Sequence, residues 1–168
     1  MSEVVWTQWD DLKVPSAITQ LSPANTPTKG GDFSKVTFFV PEYMGGLAML
    51  ELTKQMPNLK VLQMPNAGYE DALEFTRPGM TLCNGRGIHD ASTAELAVGL
   101  TIASLRGFPD FVRNQAKGEW IHKKYQSLND KKVAVIGYGS IGKTVVRNLS
   151  GFDVVHGVYQ DLSCIYSQ

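Results

Sequence analysis

The sequence predicts an α/β protein built on a parallel sheet, and three features carry that reading. Short apolar runs alternate with helix-patterned stretches along most of the 168 residues, as chains of βα units do. The runs are β-branched and nearly continuous in apolarity, as strands covered on both faces are. One of them leads straight into a glycine-patterned turn and then a helical stretch, the element order of a βαβ unit.

In chain order, Val4-Val5-Trp6 starts the first strand, and VTFFV (36–40), closed by Pro41, is the second. LKVLQ (59–63) and MTLC (80–83) follow, and KVAVI (132–136) and DVVHGVY (153–159) are two more. Between the second and third, Gly45 to Gln55 carries Leu47 and Leu50 at helical spacing, with Met56 beyond and Pro57 as the stop. The stretch from Pro15 to Gly31, with three prolines and Gly30-Gly31, reads as a loop or a weak strand. The longest helix is expected from about Ser92 to Leu105. Ser92-Thr93-Ala94-Glu95 is a capping-box pattern at its start, and Gly107 with Pro109 breaks it before Phe111 to Lys117. This helix is apolar almost all round, through Leu96, Val98, Leu100, Ile102 and Leu105. It therefore needs cover on every side, either from its own core or from a second subunit.

Composition narrows the function. With 43% apolar residues and 10% aromatic ones the chain can bury a core and is not disordered. Sixteen basic and sixteen acidic side chains cancel. That leaves no surplus for sequence-independent nucleic-acid binding, nor a polybasic pull toward a membrane. The opening Met1-Ser2-Glu3 has neither the basic nor the apolar region of a signal peptide, and no apolar run reaches the ~18 residues of a membrane span. Cys83 and Cys164 stand far apart, so neither zinc nor a disulfide framework is expected. A cytoplasmic, reduced protein fits these features.

The glycine-patterned turn is GYGSIG, residues 137–142. Lying after a strand and opening a helix, it has the context that gives a GxGxxG pattern its meaning. Gly137 permits the tight turn, Gly139 lets the backbone approach a pyrophosphate, and Gly142 lets the helix pack on the strand. The amides at the helix start, around Ser140 and Ile141, and the positive end of the helix dipole receive the phosphate charge. A dinucleotide cofactor is the expectation. Asp161 lies 19 residues past Gly142, where an acid accepts from the ribose hydroxyls and favours NAD over NADP; a solvated turn residue is the alternative.

The segments VLQMPNAGYED (61–71), MTLCNGRGIHDASTAELAVGLTIASLRGF (80–108) and KKVAVIGYGSIGK (131–143), in that order, resemble the D-isomer-specific 2-hydroxyacid dehydrogenase family. That family includes phosphoglycerate, D-lactate, formate and glyoxylate/hydroxypyruvate enzymes. The resemblance implies a flavodoxin-like substrate domain over residues 1–90. Over 91–168 it implies a dimer helix and the first βαβ of a Rossmann NAD-binding domain. It further implies that the Asn66-Ala67-Gly68 loop offers amides to a substrate carboxylate, although an ordinary βα turn explains the glycine equally well. Thr93 matches a position near the nicotinamide, or else is simply a first-turn residue of its helix. A homodimer through the helix starting at Ser92 is implied as well.

The activity implied is hydride transfer between NAD(P) and a small 2-hydroxy or 2-keto acid. In the family an Arg binds the carboxylate and carbonyl, and a His oriented by a Glu is the general acid/base. These lie well beyond the glycine turn, and only 26 residues follow Gly142. His89 reads as a hydrogen-bonding residue ahead of the helix, while His122 and His156 have no acidic neighbour. Arg86 and Arg106 read as surface or interface residues. The expectation is therefore a truncated chain with no catalytic residues, inactive alone. A lone βαβ unit also leaves a sheet edge and a sheet face bare, and the family's ribose acid falls at Gln160 rather than Asp161. The alternative is a catalytically inactive dimerisation or small-carboxylate-binding module.

Overall fold

Val4 and Trp6 are buried, while Val5 between them is half-buried and Glu3 is exposed; this period of two is β1, Glu3–Trp6. It belongs to a computed structural model that describes residues 2–159. The chain divides into two units, one ending at Ile88 and one beginning at His89.

In the first unit β1 pairs with β2 (Ile18–Leu21) on one side and β3 (Phe38–Phe39) on the other. Then β4 (Val61–Gln63) adds to β3, and β5 (Thr81–Cys83) adds to β4. Every pairing is parallel and the order is β2-β1-β3-β4-β5, the flavodoxin-like order. The helix after β3 is α1, Gly46–Glu51, tightening into a 3-10 turn over Leu52–Gln55.

The core of this unit gathers Trp6, Phe33, Phe39, Met56 and Leu62, all essentially buried. Each contributes about 1.5–3 kcal/mol for surface removed from water. Trp6 packs on Phe39 at 5.4 Å and on Phe33 at 6.2 Å between ring centroids. Its indole N–H donates to the Thr26 carbonyl at 2.9 Å, which gives the buried ring's one polar group an acceptor. The proline-rich stretch from Pro15 to Gly31 thus holds an edge strand, β2, and the residue that satisfies Trp6.

Three expectations need correcting. The strands are not covered equally on both faces: Leu62 is buried while Val61 and Gln63 are half-buried, so one face meets the core and the other is only partly shielded. The VTFFV ladder shrinks to Phe38–Phe39, although Thr37 N still donates to Val4 O and Val40 N to Trp6 O. The Ser92 capping box does not form. The helix, α2, spans Asp90–Leu105 with His89 at its N-cap and no side-chain cap. Ser92 therefore lies inside the first turn, and its hydroxyl donates back to the His89 carbonyl at 3.2 Å.

In the second unit α2 packs against α3 (Phe108–Lys117) and α4 (Ser140–Leu149). Gly107 sits between α2 and α3 at φ +70°, and a Cβ there would run into the Tyr125 ring that lies over it. That ring belongs to a returning segment anchored by Gln126 N to Leu105 O at 3.1 Å. Its hydroxyl donates to Asp110 at 2.8 Å. The Tyr125 hydroxyl and the Arg113 guanidinium hold Asp110 below the usual carboxylate range, and the bond to Asp110 pushes Tyr125 up.

The remaining elements, β6 (Lys132–Ile136) and β7 (Val155–Tyr159), pair in parallel around α4. They make one βαβ unit. Val133 and Val135 are half-buried on one face, whereas Ile136 (56%) and Val155 (71%) are exposed on the other. Among the described residues no helix is long and apolar enough to cross a membrane.

Candidate functional site

The turn after β6 owes its shape to its glycines. Gly137 has φ +92°, a left-handed value that side chains disfavour. Gly142 is buried, and a Cβ on it would stand on the Gly137 carbonyl oxygen and 3.5 Å from Val135 Cγ1. Its bareness is what lets α4 pack onto β6. Gly139 differs from both. It is the extended N-cap of α4 (φ −80°, ψ −158°), is exposed, and a Cβ there meets nothing within 4 Å.

Beyond that open space stands the start of α4. Its first internal amide bond runs from Lys143 N to Gly139 O at 3.0 Å, so the amides of Ser140, Ile141 and Gly142 have no acceptor among the described residues. The first turn carries no acid, and the Lys143 ammonium lies 5.9 Å from the Tyr138 ring centroid. Free amides, the positive end of the helix dipole and a lysine make this an anion cradle. These residues fit the pyrophosphate of a dinucleotide. Thr93 is in the first turn of α2, its amide donating to His89 O at 3.0 Å, and α2 packs on α4. Asp161 lies outside the described residues.

The second candidate element is in the first unit. Asn66-Ala67-Gly68 follows β4 as a turn. Its carbonyls are engaged: Gly85 N donates to Asn66 O at 2.7 Å and Asn84 Nδ2 to Ala67 O at 2.8 Å. The amides of Ala67 and Gly68 are not engaged by any described residue, and both residues are exposed. Asn66 Oδ1 is buried without a hydrogen-bond partner. The turn therefore presents donors, as a carboxylate site requires.

The sequence reading passed over the turn that faces this one. A small cavity of about 70 Å³ is bordered by Pro41, Met44, Gly45, Met64, Asn66 and Asp71. Met44 has φ +64° and is 85% exposed, a strained position of the kind that gathers at functional sites. Tyr43 N donates to Gln8 Oε1 at 3.2 Å, tying the ends of β1 and β3 together where the strand order reverses. In open α/β sheets ligands bind at such switch points. The Gly45-Gly46 pair after β3 was the available signal.

Residues 98–163 match the family model for the D-isomer specific 2-hydroxyacid dehydrogenase, NAD binding domain. Among curated relatives, the D-3-phosphoglycerate dehydrogenase of Methanocaldococcus jannaschii is 29% identical over 106 residues, which is 61% of this chain and 20% of that protein. The glyoxylate/hydroxypyruvate reductase HPR3 of Arabidopsis thaliana is 30% identical over 111 residues, 62% of this chain and 34% of that protein.

Among solved structures, a D-isomer specific 2-hydroxyacid dehydrogenase family protein from Aeromonas salmonicida superposes with a TM-score of 0.70 at 20% identity. The match covers 93% of this chain and 53% of that one. The NAD-dependent formate dehydrogenase of Staphylococcus aureus, solved with NAD, gives 0.61 at 18% identity and covers 99% and 58%. The chain thus spans about half the length of these structures, and their likeness speaks for the fold. The family model over residues 98–163, the relatives and the parallel-sheet fold agree, and what the chain is similar to throughout is the D-isomer specific 2-hydroxyacid dehydrogenase family.

Proposed function

We propose that this chain is the substrate-binding and cofactor-cradling part of an NAD(P)-dependent oxidoreductase acting on a small 2-hydroxy or 2-keto acid. The observation that carries the reading is the open, donor-lined space in front of Gly139. A bound nicotinamide supplies the hydride; the protein's part is to hold and orient.

In this reading residues 1–90 are the substrate domain, and 91–168 are the dimer helix with the first βαβ of the cofactor domain. The amides of Ala67 and Gly68, with Asn66 beside them, take the substrate carboxylate. Gly137, Gly139, Ser140, Ile141 and Gly142 take the pyrophosphate. Thr93 serves the nicotinamide end and Asp161 the ribose. The chain works in the cytoplasm and pairs with a second copy through α2, whose Leu96 and Leu100 are 61% and 60% exposed. Among the described residues this reading assigns none as a catalytic Arg, Glu or His, and the chain by itself is expected to turn nothing over.

Calorimetric titration of the chain with NAD and with NADP tests the cradle. Saturable binding of either is expected, weaker than a full two-sided crevice gives; no binding of either removes the reading and leaves the carboxylate-binding module. A parallel assay with reduced cofactor and a panel of 2-keto acids is expected to show no loss of nicotinamide absorbance. Measurable turnover there would overturn the statement that the chain holds no catalytic set.

A further inference from the structure

The small cavity at the switch point of the first unit has a polar atom that a bound carboxylate leaves unused. Asn66 Oδ1 is buried without a hydrogen-bond partner. It can only accept, so a carboxylate on the neighbouring Ala67 and Gly68 amides does nothing for it. A buried acceptor with no donor is costly. Asn66 borders the cavity, and a donor seated there would satisfy it.

The rest of the lining shows what that donor is attached to. Leu50 and Met64 are buried apolar walls, and Met44, 85% exposed, stands at the border with them. Glu42 and Asp71 also border the cavity, and neither carboxylate forms an ion pair among the described residues. No lysine, arginine or histidine among the described residues lines it. The volume is about 70 Å³. A water molecule takes about 30 Å³ of liquid, so the space admits about two non-hydrogen atoms.

We infer that this cavity takes the side chain of the 2-hydroxy or 2-keto acid and selects a short, uncharged one whose hydroxyl donates to Asn66 Oδ1. The inference rests on the carboxylate site proposed above and adds to it the class of acid. A hydroxymethyl group, one carbon and one oxygen, fills the space. Its methylene meets Leu50 and the two methionines, whose unbranched side chains adapt to it. A methyl group fits equally well but leaves Oδ1 without a donor, and a site built around a hydroxyl disfavours the analogue lacking it for that reason. A phosphoryl group or a second carboxylate brings negative charge up to Glu42 and Asp71 with no cation to offset it. Like charges set against each other across a contact are strongly disfavoured.

Titration of the nitrogen-15-labelled chain with D-glycerate, D-lactate and the 3-phosphate of D-glycerate, followed by NMR, tests this. The Ala67 and Gly68 backbone amides report the carboxylate, and the Asn66 side-chain amide reports the cavity. D-glycerate is expected to move both. D-lactate is expected to move the backbone amides with an affinity about tenfold lower, the loss of one hydrogen bond at a buried acceptor. The phosphorylated acid is expected to move neither at concentrations that saturate D-glycerate. Glu42→Gln with Asp71→Asn is expected to raise the affinity for the phosphorylated acid at least about tenfold by removing the opposing charge. Backbone amides that none of the three acids moves overturn the carboxylate site, and this inference with it. Backbone amides moved with equal affinity by all three leave that site standing and overturn this inference. A double variant that gains nothing for the phosphorylated acid overturns the selection by charge.

Discussion

Gly139→Ala is expected to remove dinucleotide binding while leaving stability untouched. At φ −80° an alanine is unstrained, and its methyl meets no atom within 4 Å, so the folding cost falls within about 0.5 kcal/mol. The methyl nevertheless projects ~1.5 Å from Cα into the space a pyrophosphate needs. Hydrogen bonds of ~2.9 Å from the Ser140 and Ile141 amides are then stretched past useful length. Each such bond to a charged oxygen is worth about 1.5–3 kcal/mol. Losing one or two lowers affinity at least about tenfold and as much as about twenty-thousandfold.

The neighbouring glycines give the opposite pattern. In Gly142→Ala the methyl stands on the Gly137 carbonyl, with the Gly137 carbonyl carbon 3.2 Å away. Backbone cannot swing aside, so α4 must lift from β6 at a cost of about 1–3 kcal/mol. Gly137→Ala puts a side chain at φ +92°, costing about 1–2 kcal/mol. Urea unfolding followed by circular dichroism measures the stability effects, and NAD titration measures binding. A Gly139→Ala chain that binds like the parent, or that is destabilised as much as Gly142→Ala, would refute the division of labour among the three.

Two further outcomes are expected. Leu62→Ala, at a fully buried position in β4, is expected to cost about 2–5 kcal/mol in urea unfolding; a cost well under 1 kcal/mol would show that Leu62 is not at the centre of the core. Asp110 is held below its ordinary value by Tyr125 first and Arg113 next. A carboxylate with a depressed folded-state value lends stability that is present above the unfolded value, about 3.9, and lost as pH falls through the folded one. Asp110→Asn is therefore expected to flatten the acid side of the stability profile below about pH 4, and profiles of parallel slope would show that the Tyr125 and Arg113 contacts contribute nothing in solution.

What the sequence disclosed depended on whether one residue type could meet the local demand. The turn at 137–142 was legible because a left-handed φ at Gly137 and a backbone contact at Gly142 admit only glycine. Long β-branched runs such as KVAVI were legible for a similar reason. By contrast ITQL of β2, flanked by prolines, carries no strand signal of its own; its place is set by pairing with β1. The capping box misled because Ser92 can bond either forward to an amide or back to a carbonyl, and the helix starting at Asp90 left it only the second. Met44 could not be read at all, since nothing in a methionine announces a positive φ.

The turn at 66–68 sits between these cases, and its glycine bears on function. Gly68 has no left-handed φ, and a Cβ on it would meet only Glu70 Oε2 at 3.3 Å and Asn66 Nδ2 at 3.8 Å. Both are ends of side chains, which can give way by the few tenths of an ångström needed. The fold therefore does not require glycine at 68 as it does at 137 and 142. Gly139 is the same: unstrained, open, and beside amides that no described residue engages. Two glycines that the backbone could do without, each next to unused donors, are what a surface kept clear for close approach of an anion requires. The same physical test, applied to a structural glycine such as Gly107 under the Tyr125 ring, returns the opposite answer, so it separates glycines that the fold requires from glycines it could do without, and the unused donors beside Gly68 and Gly139 are what give those two a role in binding.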